Sequence, residues 1–289
     1  VALVPNSKGK LYNLTKGTED QYVDVVFPVL HGPFGEDGTV QGLLKLADVP
    51  FVGAGILGSS VGMDKDVMKR LLQDADLPIA DYICVQNYSD VPDYQTASKK
   101  LGTPLFVKPA NLGSSVGISK VTSEKEYNRA IPVAFAFDNK IIIEEFVDGR
   151  EIECAVLGNE NPKASLPGEV IAHHDFYSYE AKYLDEKGAG LEAPADISGE
   201  ASKKIQEIAV QSFLALSCEG LARVDSFLTK DGRVIVNEIN TIPGFTKISM
   251  YPRLWGLSGI PYTELISRLI ELAIERFEKE KKLKTSYDK

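Results

Sequence analysis

Two acids and two helpers near the C-terminal end of the chain carry the clearest chemistry. The segment runs from Arg223 through Asp225, then Asp231-Gly232, to Glu238 and Asn240. Asp-Gly between β-rich runs predicts a hairpin closed by a two-residue type I′ turn. In that register Lys230 faces Arg233, Asp225 faces Glu238, and Arg223 faces Asn240. Side chains alternate along a strand, so all four would share one face of the ribbon. Two acids set directly opposite repel unless a positive group lies between them. Arg223 supplies part of that charge. A divalent ion supplies it better, and Asp225, Glu238 and Asn240 form a hard-oxygen set of the kind magnesium takes, with water and substrate phosphates completing the shell. The plainer alternative is a solvated hairpin face with one salt bridge.

Further groups suit a polyanion. Lys108 ends a strand-like run and is followed by a loop carrying Gly113, Ser114, Ser115 and Gly117. Such a loop offers amides and hydroxyls to phosphate oxygens beside a point charge. It is not a P-loop, because no Gly-Lys-Ser/Thr closes it. Lys65 stands at a predicted helix start, and a solvated lysine is its competing reading. Residues 141–151 read as a buried strand entering a polar turn; Glu144 to Val147 suit a purine slot, and Glu151 suits a ribose hydroxyl. After the hairpin, Gly244 allows close backbone approach to a ligand, and Thr246 and Ser249 add hydroxyls.

The elements that must position these groups alternate along the chain. Residues 22–30 and 51–52 read as strands around an amphipathic stretch at 41–46, a βαβ rhythm that predicts a parallel-sheet lobe. It opens without a complete first strand, helix and Gly-rich turn, so the sequence is expected to lack its natural beginning. Residues 64–73 predict a helix. Strands at 82–85, 105–108 and 140–146 then alternate with helices at 94–101 and 123–130. Residues 173–198 are polar, too long for a passive connection, and read as a lid. Residues 202–216 form a helix with Gly220 as its stop, and residues 261–281 form another that opens on Pro and ends in lysines.

Composition narrows the classes. The 289 residues are 44% hydrophobic and 25% charged, with a formal charge of -9, which disfavours a non-specific grip on nucleic acid or an anionic membrane. Cys84, Cys154 and Cys218 are far apart and suggest neither a zinc cluster nor a disulfide framework. No apolar run approaches the roughly 20 residues that cross a bilayer, and no signal-peptide pattern opens the chain. A cytoplasmic protein is expected.

The ordered motifs VKPANLGSSVG, EEFVDGRE, YEAKY, ARVD and VNEINTIPG, with HGPFGEDGT and MDK upstream, resemble the D-alanine–D-alanine ligase family over residues 30–280. The resemblance implies an α/β (α+β) ATP-grasp fold: two α+β lobes, at 64–147 and 148–289, after a Rossmann-like parallel-sheet lobe at 1–63. It implies that Lys65, Lys108, Ser114, Ser115, Glu144, Glu145, Phe146, Val147, Glu151 and Lys182 bind ATP. Asp225, Glu238 and Asn240 would hold two Mg2+ ions, Glu238 bridging them, with Mn2+ as a substitute. Arg223 and the Gly244 amide would steady the tetrahedral intermediate. His31, Tyr183, Ser249 and Met250 would meet D-alanine, and Tyr183, rather than His, favours D-alanine over D-lactate as second substrate. Lys182 and Tyr183 lie on the family's active-site loop, and a homodimer is the usual assembly. The family's N-terminal carboxylate for the first ammonium has no counterpart before His31, and its omission from this sequence is expected. Rival readings are an ATP-grasp ligase for another pair of substrates, a catalytically silent nucleotide-binding subunit, and a calcium-stabilised hairpin.

Overall fold

The computed structural model describes residues 1–113, 115–172 and 189–284. Three short strands, β1 (Ala2–Leu3), β2 (Lys10–Asn13) and β3 (Thr18–Tyr22), form an antiparallel meander. The sequence reading did not foresee it. Neighbouring segments pair through short loops because closing them costs little entropy. The expected βαβ rhythm follows in reduced form: Val26 and Phe51 make an isolated parallel bridge around α1 (Thr39–Leu46). Helices α2 (Ile56–Met63) and α3 (Lys65–Asp74) come next. Asp64 caps α3 by accepting from the Asp66 and Val67 amides, so the chain enters the helix with Lys65 as its first residue.

A four-stranded sheet of order β4-β7-β5-β6 is built from β4 (Tyr82–Val85), β5 (Leu105–Pro109), β6 (Ser119–Val121) and β7 (Ile141–Glu145). Helices α4 (Tyr94–Leu101) and α5 (Glu124–Phe135) accompany it. Ala97, Tyr127, Ile131 and Ala134 from these helices join Leu105, Val107, Ile141 and Ile143 in one core. The expected end of α5 near residue 130 was too early. The helix continues through Pro132 because Ile131 and Ala134 are buried beyond it, and packing outweighs the lost amide.

The larger sheet has the order β11-β10-β8-β12-β13, with β9 paired to β8. Its strands are β8 (Gly149–Gly158), β9 (Lys163–Ala164), β10 (Gly168–Ala172), β11 (Ala189–Glu192), β12 (Gly220–Thr229) and β13 (Val234–Asn240). Residues 189–192 of the expected polar loop are therefore strand, because they pair with β10. The remainder of the expected lid through residue 188, with Lys182 and Tyr183, lies outside the described residues, as does Ser114.

Helix α6 (Gly199–Ala215) is capped by Ser198 and covers this sheet with Ile205, Ile208 and Phe213. Gly220 is not its stop. The chain leaves the helix at Ser217, which adopts φ 53, and Gly220 (φ 74) begins β12 where a Cβ would come within 3.2 Å of the Gly53 amide. Helices α7 (Met250–Leu257) and α8 (Tyr262–Lys281) pack on the other face through Tyr251, Leu254, Trp255, Leu265 and Leu269. Among the described residues no helix is long and apolar enough to cross a membrane.

Candidate active site

The acidic hairpin reaches its predicted pairing by an unpredicted route. Thr229, not Lys230, faces Arg233: the Thr229 amide donates to the Arg233 carbonyl at 2.9 Å. The turn therefore holds three residues, closed by the Gly232 amide on the Thr229 carbonyl, with Gly232 at φ 79. That is a type I turn followed by a left-handed residue, the usual three-residue solution, and it corrects the two-residue turn expected from Asp231-Gly232. Left alone, the longer turn would set Asn237 opposite Asp225. A bulge between Asp225 and Ser226 restores the pairing, so that Ser226 faces Val236 while Asp225 faces Glu238 and Arg223 faces Asn240.

Charges on this face interlock. Arg223 donates to both Asp225 oxygens at 2.7 Å, and its Nε lies 3.2 Å from Glu153 on β8. Asn240 donates its side-chain amide to Asp225 at 2.9 Å. Burial alone would lower the Arg223 pKa, but Asp225 and Glu153 raise it well above the ordinary value. Glu238 lies 3.8 Å from the Lys65 ammonium at the start of α3, and Lys65 also donates to the Leu112 carbonyl at 2.6 Å.

A cavity of about 370 Å³ opens between the two sheets. Lys65, Phe106, Lys108, Gly113, Ser115, Glu144, Glu145, Phe146, Val147, Glu151 and Glu238 all line it, so residues read from separate motifs meet in one space. Glu145 accepts from the Asp81 amide at 2.9 Å, and Phe146 lies beside Phe106. Glu144 pairs with Lys108 and with Lys69. Burial pushes its carboxyl upward, but the Lys108 and Lys69 ammoniums outweigh this and hold it down at about 2.

A second cluster adjoins the end of the hairpin. His31 Nδ1 lies 3.0 Å from the Ile242 carbonyl, a contact that needs the proton on Nδ1. Ser249 sits at the start of α7, its hydroxyl accepting from the Thr246 amide at 3.0 Å. A Cβ on Gly244 would lie 3.0 Å from that hydroxyl. Met250 is buried against Gly168, so its side chain belongs to the core rather than to an open site.

Sequence reasoning missed three charged residues here. Glu36 accepts from the Gly32 amide at 2.6 Å, and burial raises its pKa, with Glu238 adding to the rise. Glu153 backs Arg223, and nothing but its place on a strand next to β12 signals it. Lys69 was legible in principle, since it follows Lys65 by one helical turn on the same face.

The donor set is of the kind a hard divalent ion takes, two carboxylates and an amide; Glu238 lines the cavity, while Asp225 and Asn240 do not and are hydrogen-bonded to each other. Among the described residues no cluster of three or more His, Cys, Asp or Glu side chains is gathered for a metal. Two α+β sheets closing on a cleft of lysines, a Gly-rich loop and an acidic hairpin define the ATP-grasp class of enzymes.

The comparisons carry this to a family. The family model described as D-ala D-ala ligase N-terminus matches residues 3–54, and D-ala D-ala ligase C-terminus matches residues 71–271. The chain is 54% identical over 291 residues to the D-alanine–D-alanine ligase of Shouchella clausii, covering 99% of this chain and 78% of that relative. Among solved structures, the D-alanine-D-alanine ligase from Coxiella burnetii superimposes with a TM-score of 0.86 at 40% identity, covering 97% of this chain and 75% of the other. The VanG D-Ala:D-Ser ligase from Enterococcus faecalis does so at 0.79 and 40%, covering 88% and 74%. This chain belongs to the D-alanine–D-alanine ligase family.

Proposed function

We propose that the protein joins two D-alanine molecules to D-alanyl-D-alanine, converting ATP to ADP and phosphate, as a step toward peptidoglycan. The observation that carries this reading is the acidic hairpin bringing Glu238 to a lysine-lined cavity between two sheets, which we read as two lobes at residues 64–147 and 148–289. In the first step the carboxylate of one D-alanine attacks the γ-phosphorus, forming an acyl phosphate and releasing ADP. In the second, the amine of the other attacks the acyl carbon, phosphate leaves, and the amine loses a proton. Charge gathers on the transferred oxygens in the first step and on the acyl oxygen in the second.

Lys65, Lys108, Ser114 and Ser115 would meet the phosphates; Glu144 to Val147, Glu151 and Lys182 would hold the adenosine end and its loop. Asp225, Glu238 and Asn240 would hold magnesium, two ions as in the family pattern, with manganese able to replace them; the ions supply charge neutralisation at the phosphates. Arg223 and the Gly244 amide face the acyl oxygen in this scheme. His31, Tyr183, Ser249 and the Met250 backbone would receive D-alanine. A cytoplasmic homodimer completes the proposal.

The test is ADP release by the protein with ATP, magnesium and D-alanine, compared with D-lactate, D-serine or glycine as second substrate. Release that depends on D-alanine supports the reading. Release only with D-serine, the second substrate named for the Enterococcus faecalis ligase, or only with D-lactate would reassign the second substrate. ATP binding without any ADP release would leave a silent nucleotide-binding protein.

A further inference from the structure

Helix α3 carries two lysines one turn apart, and they face different surroundings. Lys65 borders the cavity. Lys69 does not: it is 1% exposed and enclosed by one Glu144 oxygen, the Ala80 carbonyl at 3.4 Å, and the Tyr82 ring, whose centroid is 5.5 Å away. The second Glu144 oxygen holds Lys108, which does line the cavity. One carboxylate, itself 3% exposed, thus carries two ammoniums, one sealed in the protein and one at the edge of open space.

This asymmetry has a consequence when an anion enters. A buried carboxylate resists losing its only cation, because the charge left behind has neither partner nor water. With Lys69 in place, Lys108 can turn toward an incoming phosphate and Glu144 keeps a counter-ion. Without Lys69, Glu144 and the phosphate would compete for the same ammonium. We infer that Lys69 is a positioning residue for nucleotide binding: the permanent partner of Glu144 that frees Lys108 for the phosphates. The inference rests on the nucleotide reading of the cavity.

The experiment is calorimetric titration of MgADP into the full chain and its variants. Lys69→Met should weaken MgADP about tenfold or more, and Lys69→Arg should recover most of that loss by restoring the charge. In a Glu144→Gln background the same Lys69→Met change should move the affinity less than about twofold, because no buried carboxylate remains to compete for Lys108. An equal penalty in both backgrounds, or wild-type affinity for Lys69→Met, overturns the inference. Where Lys69→Met does not fold, Glu144→Gln against the double variant decides, since neither leaves an acid unpaired; a further loss of about tenfold in the double overturns the inference, and equal affinity supports it. Lys108→Met separates the two ideas. If it weakens MgADP while Lys69→Met does not, only the role of Lys69 falls; if neither matters, the nucleotide reading of the cavity falls.

Discussion

Arg223 holds both oxygens of Asp225, so Asp225 would have to share its oxygens between that guanidinium and any ion the hairpin holds. Asp225→Ala removes the acid yet leaves Arg223 paired with Glu153, which predicts a folded protein with little catalysis. ADP release should fall by on the order of a thousandfold in Asp225→Ala and Glu238→Ala, with the far-ultraviolet dichroism unchanged. Normal turnover in either would remove the hairpin from the chemistry. Glu144 gives a pH prediction. Its folded pKa is held at about 2 against an ordinary value of 4.5, so its contribution is complete above 4.5 and fades as pH falls through that window. That contribution is about 3 kcal/mol at neutral pH. Denaturant unfolding of Glu144→Gln should therefore show a shallower loss of stability between pH 4.5 and 2 than the wild type. Parallel curves would assign the acid lability elsewhere.

At the scale of elements, the hairpin separates turn from register. Gly232 at φ 79 has nothing within 4 Å of where a Cβ would stand, so the cost of Gly232→Ala is conformational only. It should lower stability by about 1 kcal/mol and leave ADP release unchanged. A large activity loss would mean that the turn, rather than the bulge beside Asp225, sets the facing of the two acids. The start of α3 makes a second case. Asp64 caps the helix and pairs with Lys140, holding the first turn on which Lys65 stands. Asp64→Ala should cost about 1–2 kcal/mol and raise the KM for ATP more than it lowers kcat. An unchanged KM would show that the cap serves stability alone.

Across the whole molecule, α3 and α8 tie the parts together. Met68 and Leu72 of α3 join the core of the six-stranded sheet, while Lys69 on the same helix reaches Glu144 of the four-stranded one. At the other end of the chain Arg276 of α8 is buried; it donates to the Gly53 and Phe51 carbonyls and lies over the Phe51 ring. Arg276→Ala would leave two carbonyls unpaired and a gap beneath Phe51. A loss of about 3 kcal/mol in denaturant unfolding is expected, with the KM for ATP little changed, because the cavity is elsewhere. A shift in KM alone would contradict this placement.

The sequence by itself determined which residues have chemistry to offer and most of the elements beneath them. Lysines, glycines and acids at strand ends are local signals, and β4, β5, β7, α3, α4 and α8 follow from local periodicity and capping. Tertiary structure alone decided how those signals meet. The three-residue turn and the bulge are each invisible in an Asp-Gly pattern, and the expected facing of Asp225 and Glu238 survives because the two irregularities cancel. Strand β11 exists because β10 offers an edge, and Lys69 acquires its role because β7 brings Glu144 over α3. Burial and long-range pairing depend on neighbours distant in the chain, and no window of sequence contains them.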